Sequence, residues 1–333
     1  MRVISIVQNR ISKPVKKLFI DINHGYVKLG FSRCMSSIFK GSGFGDRFEK
    51  NVHEIILEKL NNDYGYVLEK YKNYKFVCKY NPNAPVWICW LQGEDNAPKV
   101  VKKCIYSIKN STKHPVVVLD ESNIDNFCYV PNYIKKKYEE GIISKAQFSD
   151  IVRMILLADY GGLWIDATVF IPNDLPEEVF KYVFFTVKRK PVKNSGYISN
   201  YMWTSFINGC QKNCLVQLVN KDLFFEYWSK NDYLIDYLLV DYFMMLVYKY
   251  IPEAKKLIDE LPYNNPEVES LQNIMNDAFD EEIYDALVSK SETNMFKISW
   301  RMNYRKKTID GKDTFFYRFL KQKQVEKTEA TIE

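Results

Sequence analysis

The sequence predicts an α/β fold: a Rossmann-like, mostly parallel sheet flanked by helices, with a helical N-terminal extension ahead of it. Three observations support this. Short apolar runs rich in β formers occur at Val86–Trp90, Val116–Leu119 and Leu163–Ile165, each closed by polar or flexible residues. Stretches of helical periodicity separate them. The resulting order of strand, helix, strand, helices and strand is that of a parallel sheet covered by helices.

Residues 1–80 form the basic, mostly helical extension. Val52, Ile55, Ile56, Leu57 and Leu60 fall near helical spacing after the Gly41-Ser42-Gly43 loop. Asn81-Pro82-Asn83-Ala84-Pro85 breaks the chain and opens the main domain, residues 81–320. Pro98 starts a helix to about Lys109, with Val100, Val101, Cys104, Ile105 and Ile108 on one face. Helices follow at Pro131–Glu140 and Ser144–Tyr160, the second stopped by Gly161-Gly162. Beyond the third strand, Tyr182–Val187 reads as a strand, and Leu215–Trp228, Asp232–Tyr250 and Glu282–Ser289 read as helices. Residues 321–333 are a charged tail.

Composition bounds the function. The chain has 333 residues, 47% hydrophobic and 26% charged, which is ordinary for a soluble globular protein. Aromatic residues reach 15%, and Tyr and Trp suit stacking on sugars as well as wet interfaces, though biased base composition also inflates them. The formal charge is +6, and residues 1–80 hold fifteen Lys/Arg against seven Asp/Glu. That lead-in could face an anionic membrane, whereas no base-reading motif points to nucleic acid. Seven cysteines without a CxxC pair argue for a reducing compartment. The first 17 residues lack the apolar core of a signal peptide, and Tyr233–Ile251 carries Asp236, Asp241 and Lys249, which a membrane span would not tolerate cheaply. A cytoplasmic protein is expected, at most peripheral at the inner face of the membrane.

In open parallel sheets ligands bind beyond the carboxyl ends of the strands. Three such ends are Gln92-Gly93, Asp120 and Asp166. In the helix before Gly161, Asp150 and Arg153 are three apart and so are neighbours on one face. A carboxylate beside a guanidinium can hold fixed geometry for hydroxyl and phosphate oxygens. Alone, such a pair is an ordinary surface ion pair. Followed by a Gly-Gly turn and a strand-end Asp166, it points to one crevice.

Phe148-Ser149-Asp150-Ile151-Val152-Arg153 with Tyr160-Gly161-Gly162-Leu163-Trp164-Ile165-Asp166-Ala167-Thr168 resembles the donor signature of the capsular polysaccharide synthesis protein family, which is related to glycosyltransferase family 32. Trp87 to Pro98, Trp203-Thr204-Ser205-Phe206, Ile235 to Tyr242, Leu261 to Asn265 and Lys297-Ile298-Ser299-Trp300 are similar to further blocks, so the resemblance spans roughly residues 80–320. It implies a GT-A-like glycosyltransferase fold, a nucleotide-diphosphate sugar donor, Mn²⁺ or Mg²⁺, and transfer with retention of configuration. On this sequence it implies that Asp150 and Arg153 hold sugar and ribose hydroxyls, and that Asp166 is the first acid of a DxD motif. Trp90, Gln92, Gly93, Gly161, Gly162, Thr168 and Trp300 complete the expected donor site.

The second acid of that motif is replaced by Thr168, which offers a hard cation only a neutral hydroxyl. Asp241 and Ser299 are the candidates to complete a metal shell with Asp166. Negative charge builds on the leaving diphosphate, and Lys297, Arg301 and Arg305 are candidate stabilisers. Trp90 and Trp300 are placed to stack on base or sugar, while Trp87 and Trp164, mid-strand, read as core. No catalytic base is assigned, because the leaving phosphate can take the acceptor's proton. The expected activity is sugar transfer to a growing capsular or other surface glycan, on a lipid-linked or oligosaccharide acceptor. A toxin-like protein glycosyltransferase and a non-catalytic sugar-nucleotide or glycan-binding protein are the alternatives.

Overall fold

The computed structural model describes residues 2–321 except 76, 79 and 194, with residues 2–11 described by backbone alone. Three helices lead: α1 (Arg2–Asn23), α2 (Val27–Ile38) and α3 (Gly43–Glu69). Ser42 starts α3 because its hydroxyl accepts from the Gly45 N–H, which the first turn leaves without a helical partner. This extension is helical, as expected, but it is not an appendage. Val52, Ile56, Leu60, Tyr64 and Leu68 of α3 enter the same apolar core as the strand residue Trp164. The boundary expected at residue 80 therefore does not divide the packing.

The main part runs β1 (Val86–Cys89), α4 (Lys99–Asn110), β2 (Val116–Leu119), α5 (Asn132–Glu139), α6 (Lys145–Tyr160), β3 (Gly162–Ile165), β4 (Val169–Phe170), β5 (Phe184–Thr186) and β6 (Ile207–Cys210). It continues through α7 (Leu215–Lys230), α8 (Leu239–Tyr250), α9 (Pro252–Glu260), α10 (Ser270–Ile274), α11 (Glu281–Tyr284), β7 (Phe296–Lys297) and α12 (Phe315–Lys321). Five strands form one sheet in the order β2-β1-β3-β6-β5. β2, β1 and β3 are mutually parallel, and β6 runs antiparallel to both β3 and β5, so four strands share a direction. This is the α/β, mostly parallel sheet flanked by helices that the sequence predicts.

Strand periodicity explains why both faces are dry. Val86, Ile88, Leu163 and Ile165 point into one core, with Val101, Ile105 and Ile108 of α4. Trp87, Cys89 and Trp164 point into the other, with α3, α6, α7 and α8. Between α6 and β3, Gly161 and Gly162 both have positive φ, +73° and +96°. A Cβ on Gly162 would lie 2.2 Å from the Pro85 carbonyl oxygen, so this turn requires glycine.

One predicted helix is shortened. Asp232–Tyr250 is helical only from Leu239. The preceding backbone is committed elsewhere: the Tyr233 carbonyl accepts from Tyr227 Oη, Ile235 N–H donates to that same hydroxyl at 2.8 Å, and the Tyr237 carbonyl accepts from Gln147 Nε2 at 2.8 Å. Tertiary hydrogen bonds thus displace the helical ladder. The segment predicted as a helix at Glu282–Ser289 is α11 followed by one wide π turn, Asp285–Ser289. Of the charged tail, only Lys321 is described, as the last residue of α12, and residues 322–333 lie outside the described residues.

Candidate active site

Asp166 follows β3 at its carboxyl end, with its N–H donating to the Phe206 carbonyl at 2.9 Å. The next residues alternate: Ala167 is buried, while Asp166 and Thr168 share the more open side. The small β4–β7 ribbon then pairs Val169 with Lys297, and Ile298 N–H donates to the Thr168 carbonyl at 2.8 Å. That pairing fixes Lys297 beside Asp166. Its ammonium lies 2.6 Å from Asp166 Oδ2.

The other carboxylate oxygen is also held. Asp166 Oδ1 accepts from Trp164 Nε1 at 3.0 Å and from Arg153 Nη2 at 3.3 Å. Arg153 Nη1 stands 3.0 Å from Asp150 Oδ1, and the guanidinium lies over the Trp164 ring, 4.9 Å from its centroid. The result is a row of alternating charge, Asp150–Arg153–Asp166–Lys297. The three residues that the sequence reading gathered into one crevice are in mutual contact through Arg153.

Their electrostatics differ. Burial pushes the Asp150 carboxyl up to about 6, although Arg153 opposes it and Asp166 reinforces it. Burial acts on Asp166 in the same direction, but Lys297 and Arg153, with the Lys297 and Trp164 hydrogen bonds, outweigh it and hold that carboxyl below its ordinary range. Asp166 is therefore a fixed anion near neutral pH, and Asp150 titrates close to it.

The row opens into a cavity of about 400 Å³, lined among others by Trp90, Gln92, Asp150, Arg153, Asp166, Thr168, Lys297, Ser299, Trp300 and Arg301. That volume suits a small polar ligand. Trp90 and Trp300 meet edge to face, with centroids 5.6 Å apart, and the buried Trp90 Nε1 has no hydrogen-bond partner. Lys145 and Gln272 also line the cavity, and the sequence reading named neither. Lys145 is the first residue of α6, a position its charge does not single out. Gln272 comes from the short α10, which helical periodicity is too brief to reveal. Four cations (Lys145, Arg153, Lys297 and Arg301) and two carboxylates line the walls; Glu121 pairs with Lys145 at 2.9 Å, which leaves the balance cationic by one charge, so an anionic ligand is favoured.

Other expected site residues lie apart. Gly161 and Gly162 sit at the opposite end of β3, are not among the lining residues, and serve the turn. Gly93 is likewise outside the lining, in a turn with φ of +82°. Arg305 does not line the cavity. Asp241 lies behind the wall, where its Oδ1 accepts from Trp203 Nε1 at 2.9 Å. Burial raises its carboxyl to about 7, the Trp203 hydrogen bond opposing and Asp150 adding to the rise.

These residues test the divalent ion that the DxD resemblance implies. Both oxygens of Asp166 already hold cationic side chains, and Thr168 and Ser299 contribute neutral hydroxyls. Among the described residues no group of three His, Cys, Asp or Glu converges on a metal position. The donor set does not fit a divalent ion held by the protein alone.

Fold and site together define an α/β protein that gathers charge at the carboxyl edge of its sheet, around a polar cavity with a net cationic wall. The chain belongs to the capsular polysaccharide synthesis protein family, whose model matches residues 37–319. The match starts well before residue 80, in keeping with the shared packing of α3. Among solved structures it is similar to PaToxG glycosyltransferase, at 16% identity over 63% of this chain and 83% of that chain, with a TM-score of 0.35. A likeness that shallow carries no weight for fold or function. No curated protein matches the sequence.

Proposed function

We propose that this protein is a glycosyltransferase that moves a sugar from a nucleotide-diphosphate donor to a capsular or other cell-surface glycan, with retention of configuration and on a lipid-linked or oligosaccharide acceptor. The GT-A-like character of the fold and the kinship with glycosyltransferase family 32 belong to this proposal. The observation behind it is the Asp150–Arg153–Asp166–Lys297 row on a cavity whose wall carries more cations than carboxylates.

In the reaction the bond from the anomeric carbon to the donor phosphate oxygen breaks, and a bond to the acceptor hydroxyl oxygen forms. Charge accumulates on the diphosphate, where Lys297 and Arg301 offset it in a partly dehydrated cleft. The acceptor proton passes to the leaving phosphate. Asp166 and Asp150 accept hydroxyl hydrogens of the donor, and Arg153 holds both carboxylates at fixed separation. Trp300, 40% exposed, and Trp90 offer faces for base or sugar. No step is routed through a metal ion.

The test is nucleotide release and thermal stabilisation across a set of nucleotide-diphosphate sugars. A donor at a hundred times its dissociation constant adds about 2.7 kcal/mol of stability. Stabilisation without nucleotide release, with or without glycan acceptors, would instead identify a binding protein.

A further inference from the structure

The first helices carry a surface that the transfer chemistry does not use. Between residues 12 and 45 Asp21 is the only acid, and it is fully buried, held by Lys17 and Arg33. Lys13, Lys16, Lys28 and Lys40 of the same stretch are exposed, whereas Arg47 and Lys50 of α3 alternate with the half-buried Asp46 and Glu49. Large apolar side chains stand among them in water: Phe19, Ile20, Ile22, Val27, Phe31, Ile38, Phe39 and Phe44, with Phe31 at 53% and Phe44 at 48% exposure.

Three of the aromatic members, Phe31, Phe39 and Phe44, form one cluster through Phe48. Phe31 meets Phe48 at 5.9 Å between centroids, Phe48 meets Phe44 at 4.9 Å, and Phe44 meets Phe39 at 5.0 Å. A monomer surface rarely leaves such a cluster open without a use. Exposed rings interspersed with cations, and no exposed acid from 12 to 45, match the chemistry of an anionic bilayer surface. Rings enter the acyl boundary while ammonium groups meet headgroup phosphates. Among the described residues no helix is long and apolar enough to cross a membrane, so the surface would lie on a bilayer rather than span it.

We propose that α1, α2 and the start of α3 dock the protein onto an anionic lipid bilayer through Phe31, Phe39 and Phe44 and the lysines around them. The same helices grip the cavity. Arg33 of α2 pairs with Asp236 Oδ2 at 2.7 Å and donates to the Ile235 carbonyl, and Asp236 Oδ1 accepts from Leu238 N–H at 2.9 Å. Tyr237 and Leu238 of this segment line the cavity. Docking therefore sets the cavity mouth at a fixed place relative to the bilayer. Only the consequence for a lipid-linked acceptor rests on the function proposed above.

Co-sedimentation of the full chain with vesicles tests this without donor or turnover. Vesicles of phosphatidylglycerol and phosphatidylcholine in equal parts should bind the protein, and vesicles of phosphatidylcholine alone should not. Lys28→Gln and Lys40→Gln should each lower partitioning about fivefold. The triple change Phe31→Ser, Phe39→Ser, Phe44→Ser should lower it roughly tenfold or more at unchanged unfolding temperature. Lys136→Gln with Lys256→Gln, at side chains 74% and 67% exposed elsewhere, should leave it unchanged. Equal binding to neutral vesicles, or binding indifferent to the patch variants, overturns the proposal. So does a protein that ignores vesicles and instead self-associates through the three Phe, which would assign the patch to a second copy of the chain.

Discussion

Lys297 and Asp166 stand 131 positions apart in sequence and 2.6 Å apart in space, joined because the β4–β7 ribbon sets Lys297 opposite Val169. The lysine is 25% exposed and the carboxylate 28%, so the pair faces the cavity and is not sealed from it. An incoming diphosphate can draw the ammonium from one anion to another without burying a new charge. Lys297→Met should therefore lower nucleotide release by roughly a hundredfold. Stability should change by only about 1 kcal/mol, as for other part-exposed pairs. Steady-state rates beside thermal unfolding read both quantities, and undiminished release would remove Lys297 from the mechanism.

Arg153 has a different exposure and so a different expected outcome. Its side chain is 4% exposed, it touches Asp150 and Asp166, and it stacks over Trp164. Arg153→Lys keeps the charge but loses the planar fork that spans two carboxylates. Asp166 keeps Lys297, so the carboxylate left without its cation in a buried setting is Asp150, a loss of about 3 kcal/mol. The variant should unfold several degrees lower and release little nucleotide. A stable, inactive Arg153→Lys protein would show that the guanidinium acts on the ligand and not on the carboxylates.

The sequence made the centre of the site legible because local chemistry sets it. A helix with Asp150 and Arg153 on one face, a turn that admits only glycine and a strand ending in Asp166 are each short-range features. Lys297 was visible as a cation but not as the partner of Asp166, since nothing local encodes the pairing of a two-residue strand. β6 was equally hidden. Ile207–Cys210 includes Gly209, a poor strand former, where a Cβ would stand 3.0 Å from Leu163 Cδ1 and 3.3 Å from Phe185 Cβ. Residues 232–238 read as helical, yet α8 starts only at Leu239, because Tyr227, Arg33 and Gln147 claim backbone groups of that segment. Asp241, expected near the metal position, turned out to face Trp203.

The occupied oxygens of Asp166 make a prediction about metal. Mn²⁺ added alone should leave the unfolding temperature of the wild-type protein unchanged, since the ion would have to displace Lys297 or Arg153 from a single carboxylate. A nucleotide diphosphate added without metal should raise it. Differential scanning fluorimetry reads both. Stabilisation by Mn²⁺ alone that disappears in Asp166→Asn would show that the protein does hold the ion.

Asp241 supplies a prediction about pH. Its side chain is buried, and its carboxyl is raised to about 7 by burial, with the Trp203 hydrogen bond opposing. In the unfolded chain an Asp titrates near 3.9. Between those values the folded protein binds the extra proton, so stability falls as pH rises from about 4 to about 7 and levels off above. Asp150, raised to about 6, adds a contribution of the same sign. Asp241→Asn keeps an oxygen for Trp203 Nε1 but has no proton to lose. The variant should match the wild type near pH 4 and exceed it by about 1–3 kcal/mol near pH 8, a gain of several degrees in unfolding temperature. If it is instead less stable at both ends of that range, the Asp241 carboxylate is required in its charged form, and its place behind the cavity wall must be read as support for Arg153.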